Sequence, residues 1–415
     1  MRNTTTRTTI AELDAALGTP AFDAEPLNVL RQLREQDPVH WSEAIGGWLV
    51  TAYNDVLTTF RKVDPFSNEG RLAKAAAYLP PDRRAQLVPF EDHYNVKGIL
   101  HSDPPDHTRL RALVLTAFNP TVVAAMRPRI QSIVDALFDE AEINGGMEVI
   151  VDLAWALPAT VLAELLGAPP EVRPHFRRWA DDILAFQGVN RPTEVTLLAT
   201  QRTLIEAKAY FLQMIEQRRR EPTEDLLSHL VNAEVEGGRL SEAELLSTCI
   251  TLLGAGQETT TALVGNGIYL MLTHPEAYAM LREDHSLVKT AVEEFIRFES
   301  PIPRQPRLVK SDTELGGKLL KAGDIAFQML NIANRDPEVF AHPDVFDIER
   351  QPNRHIGFGL GPHFCVGAPL SRLEGDIVFT TILERFPKVR LVDATPHWNL
   401  SKRNSRVLQT LAITL

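Results

Sequence analysis

The chain has 415 residues, 44% of them hydrophobic and 23% charged, with 54 acidic against 43 basic side chains and a formal charge of −11. That balance excludes disordered, collagen-like and coiled-coil classes, and it argues against a duplex-binding protein, whose footprint would be basic. Cys249 and Cys365 are the only cysteines and form no CxxC pair. A disulfide scaffold and a cysteine-rich zinc site are therefore out, and a reducing cytoplasm fits. The N-terminal MRNTTTRTTI lacks the apolar run of a signal peptide or anchor, so a cytoplasmic, unanchored protein is expected.

In chain order, the pattern predicts a β-like piece over 39–52, then helices near 107–118, 121–142, 152–166, 171–187 and 192–219. A long helix follows over 241–273 and another over 286–298, then β-like sequence at 306–330, a helix at 366–385, and a C-terminal hairpin within 389–415. No repeat, low-complexity block or linker divides the chain. A length prior would suggest two or three units. The pattern instead predicts one mainly α domain with small β-sheets over residues 1–415, about 1–10 being a flexible tail.

The helix at 241–273 is the most informative. Ser241 and Glu244 form a capping box, and Pro275 stops the far end. Between Leu245 and Thr273 it carries one charge, Glu258. Such a stretch is long enough to span a membrane, but a central carboxylate in lipid costs several kcal/mol and no other apolar span accompanies it. A buried core helix is the better reading. Gly254 and Gly256 each cost about 1 kcal/mol relative to Ala, and Thr259 to Thr261 compete for backbone hydrogen bonds. Close packing against another helix explains such a sequence. So does a widened groove where a small ligand meets an acid and a hydroxyl.

The second constellation is HIGFGLGPHFCVGAPLSRLE, residues 355–374. A dinucleotide fingerprint fails, because Phe364 stands where a glycine is needed and no strand-then-helix unit surrounds it. Cys365 opens the helix at 366–385, where free backbone N–H groups lower a thiol pKa and favour a metal-binding thiolate. Composition alone favours an inert buried thiol.

Phe358-Gly359-x-Gly361-x-His363-x-Cys365-x-Gly367 resembles the heme-binding signature of the cytochrome P-450 superfamily. Ala255-Gly256-Gln257-Glu258-Thr259-Thr260 resembles that family's oxygen-groove motif, and Glu294-Phe295-Ile296-Arg297 its E-x-x-R helix. The run Asp103-Pro104-Pro105-Asp106-His107-Thr108-Arg109-Leu110-Arg111 resembles the segment that crosses one heme edge. The resemblance covers nearly the whole chain and implies a soluble, bacterial-type heme-thiolate monooxygenase with a single triangular fold.

It further implies heme b with Cys365 as the axial iron ligand, and His107, Arg111, Arg307 and His363 as the clamp for the propionates. Ala255 and Gly256 would border the heme, as would Phe358 and Gly367. Glu258 and Thr259 would be the acid–alcohol pair that delivers protons during O2 activation. Glu294 and Arg297 would form a buried structural pair, although i,i+3 and i,i+4 spacings, including Glu293–Arg297, also suit surface ion pairs. The third partner is in doubt, because Pro343-Asp344-Val345-Phe346 has valine where the family places arginine. Arg350 is a candidate.

Substrate contacts are expected from Thr251, Ala255, Ile302 and Arg304, under a lid built from loops 80–100 and 185–195. Arg304 would anchor an anionic substrate or, alternatively, point to solvent or a propionate. The substrate would be a lipophilic small molecule. With no flavin or iron–sulfur domain in the chain, electrons would come from NAD(P)H through a separate ferredoxin or flavodoxin and its reductase, and the protein would act as a monomer without nucleic acid or membrane. Arg109, Arg111, Arg127 and Arg129, in an acid-free run, suggest a docking surface. A peroxide-driven peroxygenase and a non-catalytic heme sensor or carrier remain the alternatives.

Overall fold

The computed structural model describes residues 8–187, 192–402 and 405–415. The long predicted helices appear within a few residues of their expected bounds as Asp106–Ala117, Arg127–Asn144, Ala156–Leu165, Arg173–Leu184, Glu194–Arg220, Val288–Phe298 and Ala368–Arg385. Two of them break where the sequence reading made them continuous. The helix expected at 121–142 divides into Pro120–Ala125 and Arg127–Asn144, with Pro128 in the first turn of the second piece, where its missing N–H is no loss.

The central helix divides into Glu242–Ala255 and Glu258–Thr273. Gly256 closes the first piece by donating its N–H to Leu252 O at 3.0 Å. A Cβ on Gly256 would stand only 3.0 Å from that same carbonyl, so the turn is shaped for glycine. Ser241 and Glu244 make the expected capping box. No helix among the described residues is long and apolar enough to cross a membrane.

Shorter helices that the pattern reading missed fill the N-terminal third, including Leu27–Gln36, Tyr53–Arg61 and Val88–Asn95. The expected lid loop at 80–100 is therefore mostly helical, and residues 188–191 of the second lid loop lie outside the described residues. Of the expected flexible tail, residues 1–7 also lie outside them. Thr9 forms a capping box with Glu12 at the start of Ile10–Leu17.

The largest sheet joins the two predicted β-rich pieces. Its strand order is Val39–Ser42, Gly47–Val50, Ile325–Gln328, Gln305–Val309 and Phe66–Ser67. Ile325–Gln328 runs parallel to Gly47–Val50 and antiparallel to Gln305–Val309, with Ala326 opposite Arg307. The C-terminal segment returns on itself in short ladders, His397–Trp398 with Leu408–Thr410 and Arg390–Leu391 with Ala412–Thr414. The last strand also pairs with Gly146–Glu148.

Two large apolar clusters make up the helical core. One reaches from Leu72 to Leu253, the other from Ile130 to Ile413, with Leu263 among its members. The break in the central helix falls at their junction, which is where a buried cleft can open without cutting either cluster.

Candidate active site

Cys365 leaves a loop whose shape depends on two glycines. Gly359 and Gly361 have φ of 71° and 72°, a region that costs a side-chain-bearing residue roughly 1 kcal/mol or more. The Cys365 N–H donates to Phe358 O at 3.0 Å, and the following helix begins at Ala368 rather than at 366. Burial raises the thiol above its ordinary pKa, outweighing the N–H groups of Gly367 and Ala368 and the nearby Arg111 and Arg372, which lower it. The sequence reading expected a net lowering. The helix N-terminus acts in that direction, but it does not offset removal from water, so a thiolate here needs a cation in direct contact. Cys249, fully buried and pushed up to about 12 by burial, is inert.

Three segments bring the expected clamp together. The rings of His107 and His363 stack with centroids 3.9 Å apart. Both ring nitrogens of His107 and Nε2 of His363 are buried without a hydrogen-bond partner among the described residues. Burial pulls Arg111 down, and pulls Arg307 down to about 10; the Arg307 guanidinium donates to Asn68 Oδ1. Buried donors left unmatched cost about 1–3 kcal/mol each, so this group calls for acceptors.

On the other side, Ala255 and Gly256 keep accessible surface in the middle of an otherwise buried helix. Thr259 Oγ1 donates to Ala255 O at 2.9 Å. The Glu258 carboxylate accepts from Ser405 Oγ and lies 3.4 Å from Lys402 Nζ, which in turn sits 2.6 Å from Asp181. The break borders the Cys365 helix, with Thr260 Oγ1 at 3.4 Å from both Ser371 Oγ and Glu374 Oε2.

These residues fit a porphyrin. Among the described residues no cluster of three or more His, Cys, Asp or Glu is arranged to hold a metal ion. Cys365 would thus bind a metal only as a lone ligand to an ion carried by another group. The orphaned clamp donors fit the carboxylates of that group.

Residues 195–411 match the cytochrome P450 family model. The polyketide biosynthesis cytochrome P450 PksS of Bacillus subtilis is 36% identical over 90% of this chain and 91% of its own length. The monooxygenase PikC of Streptomyces venezuelae is 39% identical over 90% and 87%. The solved P450BioI in complex with acyl carrier protein ligated to hexadec-9Z-enoic acid has a TM-score of 0.86 and 33% identity, covering 95% of this chain and 99% of that one. The chain belongs to the cytochrome P450 family. Its cofactor is heme b, and its chemistry is that of an oxygen-incorporating oxidoreductase.

In this P450 the E-x-x-R pair is fully buried. Arg297 Nε and Nη2 donate to the two oxygens of Glu294 at 2.7 and 2.8 Å. The structure places Arg350 Nε 3.3 Å from Glu294 Oε2, and Asn353 Nδ2 and the Asp347 N–H complete the carboxylate's shell. Glu293 does not pair with Arg297. Burial would raise its pKa, but Arg372, at 2.6 and 2.8 Å, and His355, at 2.9 Å, hold it down to about 2. Arg372 also lies 4.5 Å from the Phe358 ring centroid. The Glu293–Arg372–His355 cluster was missed because its members lie far apart in sequence.

Thr251 is half-buried on the central helix. Ile302 packs beside Leu57 and Leu360 on a cluster containing Phe60. Arg304 is partly buried just before the strand that carries Arg307, near Lys402 and Ser405, the two side chains that contact Glu258. It stands over Phe327 in a cleft with Phe22, Asp23 and Trp398.

The acid-free arginine run is not an acid-free surface either. Arg109 pairs with Glu244, Arg127 with Asp376, and Arg129 with both oxygens of Glu164 at 2.7 Å. Two groups withdrawn from water had no signal in the sequence. Glu374, raised to about 8 by burial, leaves Oε1 without a partner, and Arg71 is taken up below.

Proposed function

We propose that this P450 hydroxylates a lipophilic small molecule with O2 and electrons passed from NAD(P)H by a separate ferredoxin or flavodoxin and its reductase. The observation that carries the reading is the acid–alcohol pair at the break of the central helix, next to the helix that Cys365 introduces. Heme b bound there supplies the oxygen chemistry, its thiolate ligand donating electron density that favours O–O cleavage.

The chain's own residues do the rest. Cys365 would hold the iron, with the N–H groups of Gly367 and Ala368 steadying its sulfur and Phe358 beside it. His107, Arg111, Arg307 and His363 bind the propionates, so their orphaned donors gain acceptors. Ala255 and Gly256 let the ring approach the helix backbone.

Thr259 presents a hydroxyl whose hydrogen bond to Ala255 O is local and exchangeable, so it can donate into the groove instead. Glu258 takes a proton from the Ser405 and Lys402 side and passes it toward that hydroxyl, for which it must leave Lys402. Thr251, Ala255 and Ile302 contact the substrate. A lipophilic substrate is supported by Phe90 and Phe186, which pack against one another where the two lid segments meet, and by PksS and P450BioI, whose names and titles refer to a polyketide and an acyl chain.

A peroxygenase needs no such proton route, and a sensor or carrier needs neither the route nor a substrate cavity. The test is turnover of a substrate found by spectral screening, with NAD(P)H plus a ferredoxin and reductase, against H2O2 alone. Product only in the first supports the reading; equal product in both supports the peroxygenase, and none in either the sensor.

A further inference from the structure

Arg71 stands where the clamp meets the lid. It follows Gly70 in a segment that packs under Val88–Asn95, and its Nη1 donates to the backbone carbonyl of Gln187 at 3.3 Å. Among the described residues no carboxylate pairs with it. Its electrostatic neighbours are Tyr94, His101 and Arg307, the last two being a neutralised imidazole and another guanidinium. The Tyr94 hydroxyl, on a side chain only 3% exposed, has no hydrogen-bond partner of ordinary geometry, although the Gln187 side chain approaches it. Asp103, an acid on the clamp side, is already taken by Ser67, the Asn68 N–H and Lys310. Burial pulls Arg71 down to about 10 without neutralising it.

Arg71 keeps part of its surface accessible, yet a guanidinium this far withdrawn from water and without an acid beside it is stabilised by a counter-charge. The propionates do not supply one in sufficient number. They carry two negative charges, which Arg111 and Arg307 match, while His107 and His363 add ring donors. Arg71 is then one cation in excess, at the lid end of the cavity, beside a hydroxyl without a hydrogen bond of ordinary geometry.

We propose that Arg71 and Tyr94 form the binding site for the carboxylate of an anionic, otherwise lipophilic substrate, the guanidinium pairing with both oxygens and the phenol donating to one. The acid is held under the lid, so the carbon to be oxidised lies along the chain or ring system away from it. This rests on the monooxygenase reading above and narrows its substrate class. Arg304 is not part of this site.

The experiment uses the heme-loaded protein and a panel of straight-chain acids from octanoate to hexadecanoate, with aryl-alkanoates, each beside its methyl ester. Binding is measured by calorimetry and by the Soret shift, in wild type, Arg71→Leu, Arg71→Lys and Tyr94→Phe. At least one acid should bind wild type tenfold or more tighter than its ester. Arg71→Leu should abolish that preference, Arg71→Lys retain part of it, and Tyr94→Phe weaken it several-fold. Heme transfer to apomyoglobin should stay at the wild-type rate.

If no acid outbinds its ester in wild type, or the preference survives Arg71→Leu, the proposal is overturned. If Arg71→Leu instead speeds heme loss and weakens acids and esters alike, Arg71 belongs to the propionate clamp, and the proposal again falls. The carbon-monoxide difference band separates the two levels of failure. A wild type without a thiolate-type band overturns the monooxygenase reading itself, whereas a normal band without acid preference overturns this inference alone.

Discussion

The loop before Cys365 and the lid around Arg71 both bury charge, and they balance it differently. Before Cys365, Glu294 meets Arg297, Arg350 and Asn353, while Glu293 meets Arg372 and His355. Each carboxylate finds its cations within the chain. By the lid, Arg71 meets a carbonyl, and the Tyr94 hydroxyl is approached by the Gln187 side chain without a hydrogen bond of ordinary geometry. Buried polar groups satisfied from within rigidify a segment. Groups left unmatched define what must come from outside. The cysteine side is therefore built to stay in one shape whatever the substrate, and the carboxylate site proposed above would put selectivity at the lid.

The harshest way to break this comparison is to remove what the cysteine side exists to position. Cys365→Ser should abolish the thiolate-type carbon-monoxide difference band altogether. Cys249→Ser should leave it in place, since Cys249 is a fully buried inert thiol. A band surviving Cys365→Ser would show the ligand assignment to be wrong. Glu294→Ala comes next, because it strands Arg297 and Arg350 in the interior. Breaking a buried pair from one side costs about 3–5 kcal/mol, so heme incorporation and the urea midpoint should both fall sharply. An unchanged midpoint would mean that the network is not what holds the loop.

That network also shows what a sequence can reveal. Long periodic helices and the spacing around Cys365 were legible, as was Arg350 as a possible substitute for the residue Val345 replaces. Each depends on neighbours a few residues apart. Arg109 with Glu244, or Arg372 with Glu293, depends on how distant helices meet, and no local pattern encodes it. Arg71 was invisible because an arginine in an unremarkable loop normally reads as surface. The direction of the Cys365 shift was also missed, because helix-end dipoles can be read from sequence and the depth of burial cannot.

A smaller effect is expected where the two sides meet, at the break in the central helix. Thr259→Ala removes a hydroxyl held only by Ala255 O, so fold and heme content should persist. Protons would no longer be delivered in order, and a larger share of NAD(P)H should appear as peroxide, roughly tenfold more by analogy with the loss of one positioned proton-transfer group. Peroxide yield per NAD(P)H consumed measures this. Glu258→Gln should instead slow turnover and enlarge the solvent isotope effect. Unchanged coupling in both variants would reduce the pair to a structural break.

The smallest expected effect is the one that isolates the lid. Arg304 and Arg71 are both guanidiniums near the substrate side, and composition does not tell them apart. Their settings do: Arg304 lies over Phe327 in a cleft that it shares with Asp23 and Trp398, whereas Arg71 sits between the clamp and the lid without an acid. Arg304→Leu should therefore shift acid and ester affinities together, by less than about threefold, because a partly exposed charge outside the carboxylate site contributes roughly 0–1 kcal/mol. The ratio of acid to ester affinity should stay at the wild-type value. If that ratio collapses in Arg304→Leu and survives in Arg71→Leu, the cleft around Arg304 is the carboxylate site, and selectivity lies just before the strand that carries Arg307 rather than at the lid.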